Sequence, residues 1–133
     1  MRKVFIGLIL ALGLATALPA QQADIQATIT RQFDAFRADD FDTAFEFASP
    51  NIQRLMRDPQ TFERMVTQGY PMVWRSGQIH FLGLRQQGET YTQRVQITDQ
   101  TGQVHLLDYH MISTDAGWRI NGVQILESGP LGV

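Results

Sequence analysis

The sequence predicts an α+β fold in which N-terminal helices pack on an antiparallel sheet of about four strands. In the first half of the chain, apolar residues recur every three or four positions, as they do on one face of a helix. In the second half, apolar and polar residues alternate between turn signals, as they do in strands. The chain has 133 residues, of which 44% are apolar, and these values correspond to one globular domain with its own core.

Residues 1–20 have the pattern of a secretory signal peptide. Arg2 and Lys3 precede an apolar run, and small residues cluster before Ala20. We predict cleavage after Ala20, with Ala17 as the alternative, and a periplasmic or secreted location. Retention as an N-terminal anchor is the competing interpretation, but the run is shorter than the roughly 18 apolar residues expected of a spanning helix.

The charge and residue counts exclude several classes of function. Without residues 1–20, the chain keeps nine arginines, no lysine and 13 acidic residues, which is a net charge of −4. This balance argues against nucleic-acid binding through bulk charge. The chain has no cysteine, so disulfides and thiol chemistry are excluded. After cleavage, no membrane span is expected.

Three helices and one short helical segment are predicted, and polar caps mark the starts of those that follow the first helix. Asp40 is a plausible N-cap, and Ser49-Pro50 and Asp58-Pro59 each combine a cap with a proline at the first helical position. Gly69 is expected to end the last helix. The apolar stripe that predicts the first helix consists of Ile25, Ile29, Phe33 and Phe36.

Strands separated by turn residues are predicted for the second half. Met72–Trp74 is a possible strand start. Asn121-Gly122 forms either a bulge or a tight turn, and the short flanking pieces favour a bulge within one long strand. Residues 127–133 are expected to form a flexible tail after a single α+β domain of residues 21–126. The predicted strands are Ile79–Leu84, Tyr91–Ile97, Val104–Ile112 and Trp118–Leu126.

No cluster of side chains in the sequence indicates catalysis or metal binding. His105 and His110 are five positions apart, so they face opposite sides of a strand. Asp108 and His110 share a face, where they either ligate a metal, act as an oriented base, or form an outer polar surface with Arg94 and Arg119. We favour the polar surface, because metal sites usually need three converging protein ligands. The sequence therefore predicts no catalytic residue, no metal and no cofactor.

Other residues of catalytic type have structural explanations. The Asp39-Asp40 pair can raise the pKa of one carboxyl, but Asp40 is needed as a cap and adjacent loop carboxylates are usually solvated. Ser49 is expected to cap a helix, and Ser128 falls in the predicted tail. No serine lies in a Gly-x-Ser-x-Gly elbow.

Aromatic and polar residues expected to face the helices are the candidates for a ligand pocket. Gln93, Tyr109 and Trp118 share strand faces with apolar residues. Tyr70 and Trp74 lie at the transition from the predicted helices to the predicted sheet. A buried Tyr or Trp needs a partner for its polar atom. These groups therefore either orient a small ligand or bond one another within a filled core.

Several motifs together resemble a known family. With them the chain resembles a bacterial family of exported proteins, the domain of unknown function 4864, and more broadly the nuclear-transport-factor-2-like (SnoaL-like) superfamily. The resemblance implies a curved sheet that wraps a long helix and leaves a conical cavity between them. It implies no catalytic residue. The motifs are Asp39-Asp40, Ala44-Phe45, Phe47-Ala48-Ser49-Pro50, Met65-Val66, Gly69-Tyr70-Pro71, Val73-Trp74-Arg75 and Gly117-Trp118-Arg119-Ile120 with Gly122.

Three functions are consistent with these observations. The first, which we expect, is non-catalytic binding of a small apolar ligand or a protein partner. The second is an isomerase- or hydratase-like enzyme that uses an acid or base in the cone, with Tyr109 as donor. It requires Asp108 or His110 to face inward. The third is a module that forms homodimers through the outer sheet face, as the resemblance implies.

Overall fold

The computed structural model describes residues 17–130. Most of the predicted signal peptide, residues 1–16, lies outside this range, as do residues 131–133. The order of helices followed by strands confirms the α+β class. The elements are α1 (Ala17–Arg37), α2 (Phe41–Glu46), α3 (Pro50–Met56), α4 (Pro59–Gly69), α5 (Pro71–Trp74), β1 (Ser76–Gln87), β2 (Thr90–Asp99), β3 (Gln103–Thr114) and β4 (Gly117–Pro130).

Polar caps begin α2, α3 and α4 at the predicted residues. The side chains of Asp40, Ser49 and Asp58 each accept a hydrogen bond from the backbone N–H three residues further on, at 3.1, 3.2 and 2.8 Å. A proline occupies the first turn of both α3 and α4, where its missing N–H costs no helical bond. Helix α4 ends at Gly69, as predicted. No helix within residues 17–130 is long and apolar enough to cross a membrane.

The expectation of a strand start at Met72–Trp74 is wrong, because this segment belongs to the short helix α5. Its first residue is Pro71, whose ring presets the helical φ angle. One helical turn buries Met72 and Val73 together, which an extended chain cannot do because neighbouring side chains on a strand point to opposite faces. The sheet begins after this turn, at Ser76.

The four strands form one antiparallel sheet in the order β1-β2-β3-β4. Alternation along β2 and β3 is as predicted, and the faces that meet the helices are buried. The stripe of α1 packs against these faces, and its residues are at most 2% exposed. The sheet residues that meet α1 and the other helices in this core include Tyr91, Val95, Ile97, Leu107, Tyr109, Met111 and Ile120.

A bulge in β4 ties the helical layer to the sheet. Met111 pairs with Ile120 and His110 pairs with Gly122, which leaves Asn121 as an extra residue. This confirms the predicted bulge. The Asn121 side-chain oxygen accepts a bond from Ser49 Oγ at 2.7 Å, so the bulge aims this side chain at the start of α3.

The end of β4 continues further than the sequence predicts. Residues 127–130, expected in a flexible tail, pair with β3, and Ser128 lies opposite His105. An edge position in a sheet needs only one neighbouring strand, and β3 is long enough to supply it. Residues 131–133 of the predicted tail lie outside the described residues.

Candidate functional site

A half-open cavity of about 360 Å³ lies between the helices and the β3–β4 side of the sheet. This is within the usual range for small-molecule sites, roughly 300–1,000 Å³. Most of its lining side chains are apolar, so it favours an apolar guest. The lining residues are Gln32, Phe36, Ala48, Ile52, Leu55, Met56, Phe62, Met65, Val66, Tyr70, Val73, Tyr109, Ile120, Gly122 and Val123.

Among the buried side-chain polar atoms that line the cavity within residues 17–130, only the Tyr109 hydroxyl has no partner. The side chain is fully buried, and within residues 17–130 its hydroxyl has no hydrogen-bond partner. Burial, together with the nearby phenol of Tyr70, raises the pKa of Tyr109 above its ordinary value, so the group remains a neutral O–H donor. A buried donor without an acceptor costs about 1–3 kcal/mol of stability, which a ligand acceptor can recover.

Two other polar side chains in the lining already have partners. Tyr70 Oη donates to the carbonyl oxygen of Val123 at 3.0 Å. Gln32 Nε2 donates to the carbonyl oxygen of Ala44 at 3.0 Å. These bonds fix both side chains in place, so they shape the cavity while Tyr109 offers a free donor.

Helix α3 forms the least buried wall of the cavity. None of its residues is buried, and Leu55 is 71% exposed although it lines the cavity. Met56 and Met65 line the same wall region, and methionine side chains adapt to irregular shapes. The Tyr109 hydroxyl is covered in this structure, so direct contact with it requires a movement of the lining side chains.

Tyr70 and Tyr109 are the two predicted pocket residues that the structure brings together. Trp74 lies elsewhere, near the end of α1. Its Nε1 donates to a carboxylate oxygen of Asp39 at 2.9 Å, and the guanidinium of Arg75 sits 4.0 Å from the centre of its ring. The hydrogen bond from Trp74, with help from Arg75, lowers the pKa of the Asp39 carboxyl, and the hydrogen bonds from Thr43 lower the pKa of Asp40. Neither member of this carboxylate pair therefore has a raised pKa.

Gln93 and Trp118 are also outside the cavity. Gln93 is fully buried, and its Nε2 donates to the carbonyl oxygen of Leu82 at 3.0 Å, beside an irregularity in β1. The ring of Trp118 packs edge-on against Tyr91, with 5.3 Å between the ring centres. Gln93 therefore fills the core and satisfies a backbone carbonyl, and Trp118 packs against the core.

The predicted polar sheet face is organised around Asp108. Arg94 holds both carboxylate oxygens, with Nε at 2.9 Å and Nη2 at 3.1 Å. Arg85 adds a third bond at 3.0 Å, and together the arginines leave only 4% of Asp108 exposed. The hydrogen bonds from Arg94 hold the pKa of Asp108 below its ordinary value, against the opposing effect of burial.

His110 and Arg119 complete this set without joining a catalytic cluster. His110 Nδ1 lies 3.2 Å from Thr92 Oγ1. Arg119 lies apart from the Asp108 network, with its guanidinium 5.7 Å from the centre of the Phe47 ring. Asp108 and His110 alternate with the buried Tyr109 along β3, so they project from the opposite side of the sheet. Neither can act as a base beside Tyr109.

Sequence reasoning missed a second cluster, formed by Asp99, His105 and Ser128. His105 Nε2 lies 2.8 Å from Asp99 Oδ2, and its Nδ1 lies 2.7 Å from Ser128 Oγ. The prediction of a tail hid this contact, because it separated Ser128 from the sheet. Within residues 17–130, no group of three or more His, Cys, Asp or Glu side chains is placed to hold a metal ion.

The family described as Domain of unknown function (DUF4864) matches residues 19–132. No curated protein matches the chain.

Proposed function

Since the chain belongs to the DUF4864 family, whose description names no activity, we propose a function from the geometry of the cavity. The protein binds a small apolar molecule that carries one hydrogen-bond acceptor, without transforming it. The apolar lining provides the burial energy, and the Tyr109 hydroxyl receives the acceptor.

The unpartnered hydroxyl of Tyr109 is the observation that carries this proposal. Buried polar groups in folded proteins nearly always have a partner, so an orphan donor in a cavity wall calls for an explanation. A carbonyl or ether oxygen on an apolar guest supplies the missing acceptor. Such a guest carries no ionised group. This suits the lining, whose residues include no charged side chain that would neutralise one.

The proposal includes the surroundings that the sequence predicts. We place the protein in the periplasm or among secreted proteins, with residues 1–20 as its signal peptide. The cavity between the long helix α1 and the β3–β4 side of the sheet supports a nuclear-transport-factor-2-like cone. In such a cone, a ligand site between helix and sheet is the expected location.

Binding is favoured over the isomerase- or hydratase-like alternative. Proton transfer needs an acid or base within hydrogen-bond reach of the substrate. The described lining contains two phenols but no carboxylate and no imidazole. Tyr109 alone is a weak proton donor because its pKa is raised. Its role is therefore to hold a ligand acceptor.

A matched pair of probes tests the proposal. Tetralin and 1-tetralone have nearly the same shape and differ by one carbonyl oxygen. We expect both to shift the amide resonances of Val73, Ile120 and Val123 in a titration followed by NMR. In Tyr109→Phe, the affinity for the ketone relative to the hydrocarbon should fall by about five- to tenfold, the value of one hydrogen bond.

Two tryptophan variants control for the location of binding. Met65→Trp fills the cavity and should abolish binding of both probes. Leu82→Trp places the same side chain on exposed β1 and should leave binding intact. If neither probe shifts the cavity resonances of the wild type, the cavity is not a ligand site. A native mass spectrum of protein purified gently from its host then shows whether it carries a molecule or forms a homodimer.

A further inference from the structure

The Asp99–His105–Ser128 cluster lies at the far end of the sheet, beside the β2–β3 hairpin. Asp99 ends β2, and His105 and Ser128 are direct partners across β3 and β4. The three side chains form a chain of two short contacts, 2.8 Å from carboxylate to imidazole and 2.7 Å from imidazole to hydroxyl. None of them lines the cavity described above.

The hairpin fixes the carboxylate and, through it, the tautomer of the imidazole. Asp99 Oδ1 accepts bonds from Thr101 N, Thr101 Oγ1 and Gln103 N at 2.9, 2.6 and 3.0 Å. Burial opposes ionisation of Asp99, but these bonds and the one to His105 outweigh it, so its pKa lies below the ordinary value. An ionised carboxylate only accepts. A neutral His105 therefore carries its proton on Nε2, and its Nδ1 accepts from the Ser128 hydroxyl.

In this cluster the serine is exposed and the histidine is buried, so a substrate can reach the nucleophile while the base stays fixed. The Ser128 residue is exposed, whereas the His105 side chain is only 8% exposed. β4 is the outermost strand of the described sheet, so Ser128 lies on an edge strand.

We propose that Asp99, His105 and Ser128 form an acyl-transfer site that cleaves small activated esters. A nucleophile bonded to a base, which is itself oriented by a third group, is the arrangement that activates a hydroxyl. Ser128 Oγ bonds to the ester carbonyl carbon as its proton passes to His105 Nδ1. The tetrahedral adduct then breaks the C–O bond to the alcohol, which takes that proton.

Water completes the cycle. Its oxygen bonds to the acyl carbon while one of its protons moves to His105 Nδ1. The bond from the acyl carbon to Ser128 Oγ then breaks, and the oxygen recovers the proton. One ester and one water give one acid and one alcohol, with no other reactant.

A fluorophosphonate probe tests this site directly. We expect one covalent adduct on the wild-type protein, located at Ser128 by peptide mass spectrometry. Ser128→Ala should lose the adduct, and Ser113→Ala, which changes another exposed serine on β3, should keep it. In His105→Gln the rate of labelling should fall about a hundredfold, the usual contribution of a general base.

Hydrolysis of p-nitrophenyl acetate gives a second readout. Ser128→Ala removes one oxygen of an exposed residue together with its bond to His105 Nδ1. A thermal melt should show that the variant remains folded, and its loss of hydrolysis relative to Ser113→Ala then measures the contribution of Ser128. A folded wild type that takes up no adduct at Ser128 would overturn the proposal. Equal labelling in His105→Gln would do the same, because the serine would then react without its base.

Discussion

Replacing Tyr109 by phenylalanine should make the unliganded protein more stable. The substitution removes one buried oxygen that has no partner in the described structure and keeps the ring, which packs 6.0 Å from Phe33. An unsatisfied buried donor costs about 1–3 kcal/mol. The small gap left by the oxygen takes back part of this, so we expect a net gain of about 1 kcal/mol.

Urea denaturation and thermal melts measure this gain. For a domain of this size, 1 kcal/mol corresponds to a rise of about 4 °C in Tm. Tyr70→Phe is the matched control, because its hydroxyl donates to Val123 O. That variant should lose about 1 kcal/mol, since the bond is lost and a carbonyl is left without its donor.

The two tyrosine variants should therefore move in opposite directions. If Tyr109→Phe is less stable than the wild type, its hydroxyl is bonded in the native protein and our reasoning about an open donor fails. A second outcome is that Tyr109→Phe is more stable than the wild type only when the wild type has first been denatured and refolded. In that case, a molecule retained during purification was bound to the Tyr109 hydroxyl and stabilised the wild type.

Three further predictions test other parts of the structure. Ser49→Ala removes both an N-cap and a bond to the bulge of β4, and it should lower the unfolding free energy by about 1–3 kcal/mol in urea. Gly77→Ala places a methyl group 2.5 Å from a carbonyl of the neighbouring strand and should cost about 1–3 kcal/mol. Gly83→Ala meets nothing within 4 Å and serves as its control. The pKa of Asp108 is lower in the folded protein than in the unfolded chain, so ionised Asp108 stabilises the fold above about pH 4. This stabilisation is lost as the pH falls through the pKa of Asp108 in the folded protein. Asp108→Asn should therefore lose less stability than the wild type between pH 5 and 2, whereas Arg94→Lys, which cannot hold both oxygens at once, should lie between the two.

Local signals predicted much of the fold. Asp40, Ser49 and Asp58 begin helices as expected, because a cap depends on a side chain and an N–H only three residues apart. Alternation also predicted the buried faces of β2 and β3, since strand geometry alone sends neighbouring side chains to opposite sides. The bulge at Asn121 followed from the length of its flanking segments.

Local signals failed where a longer-range contact decides the structure. Trp74 and Gln93 resemble pocket residues in sequence, but their polar atoms meet Asp39 and a backbone carbonyl of β1 instead. Met72–Trp74 is apolar enough for a strand, yet one helical turn buries it better. Ser128 appeared to lie in a tail because nothing near it in the chain shows that β3 continues far enough to pair with it.

The sequence by itself determined the α+β class, the helix starts and the faces of the central strands, because each depends on residues within one turn or one pleat of each other. Only the tertiary structure decided which polar atoms have partners. The free hydroxyl of Tyr109, the covered carboxylate of Asp108 and the contact of His105 with Ser128 each result from packing between segments far apart in the chain. Hydrogen bonding and burial act over a few ångströms, so the chemistry of this protein is set by which distant residues the fold brings within that distance.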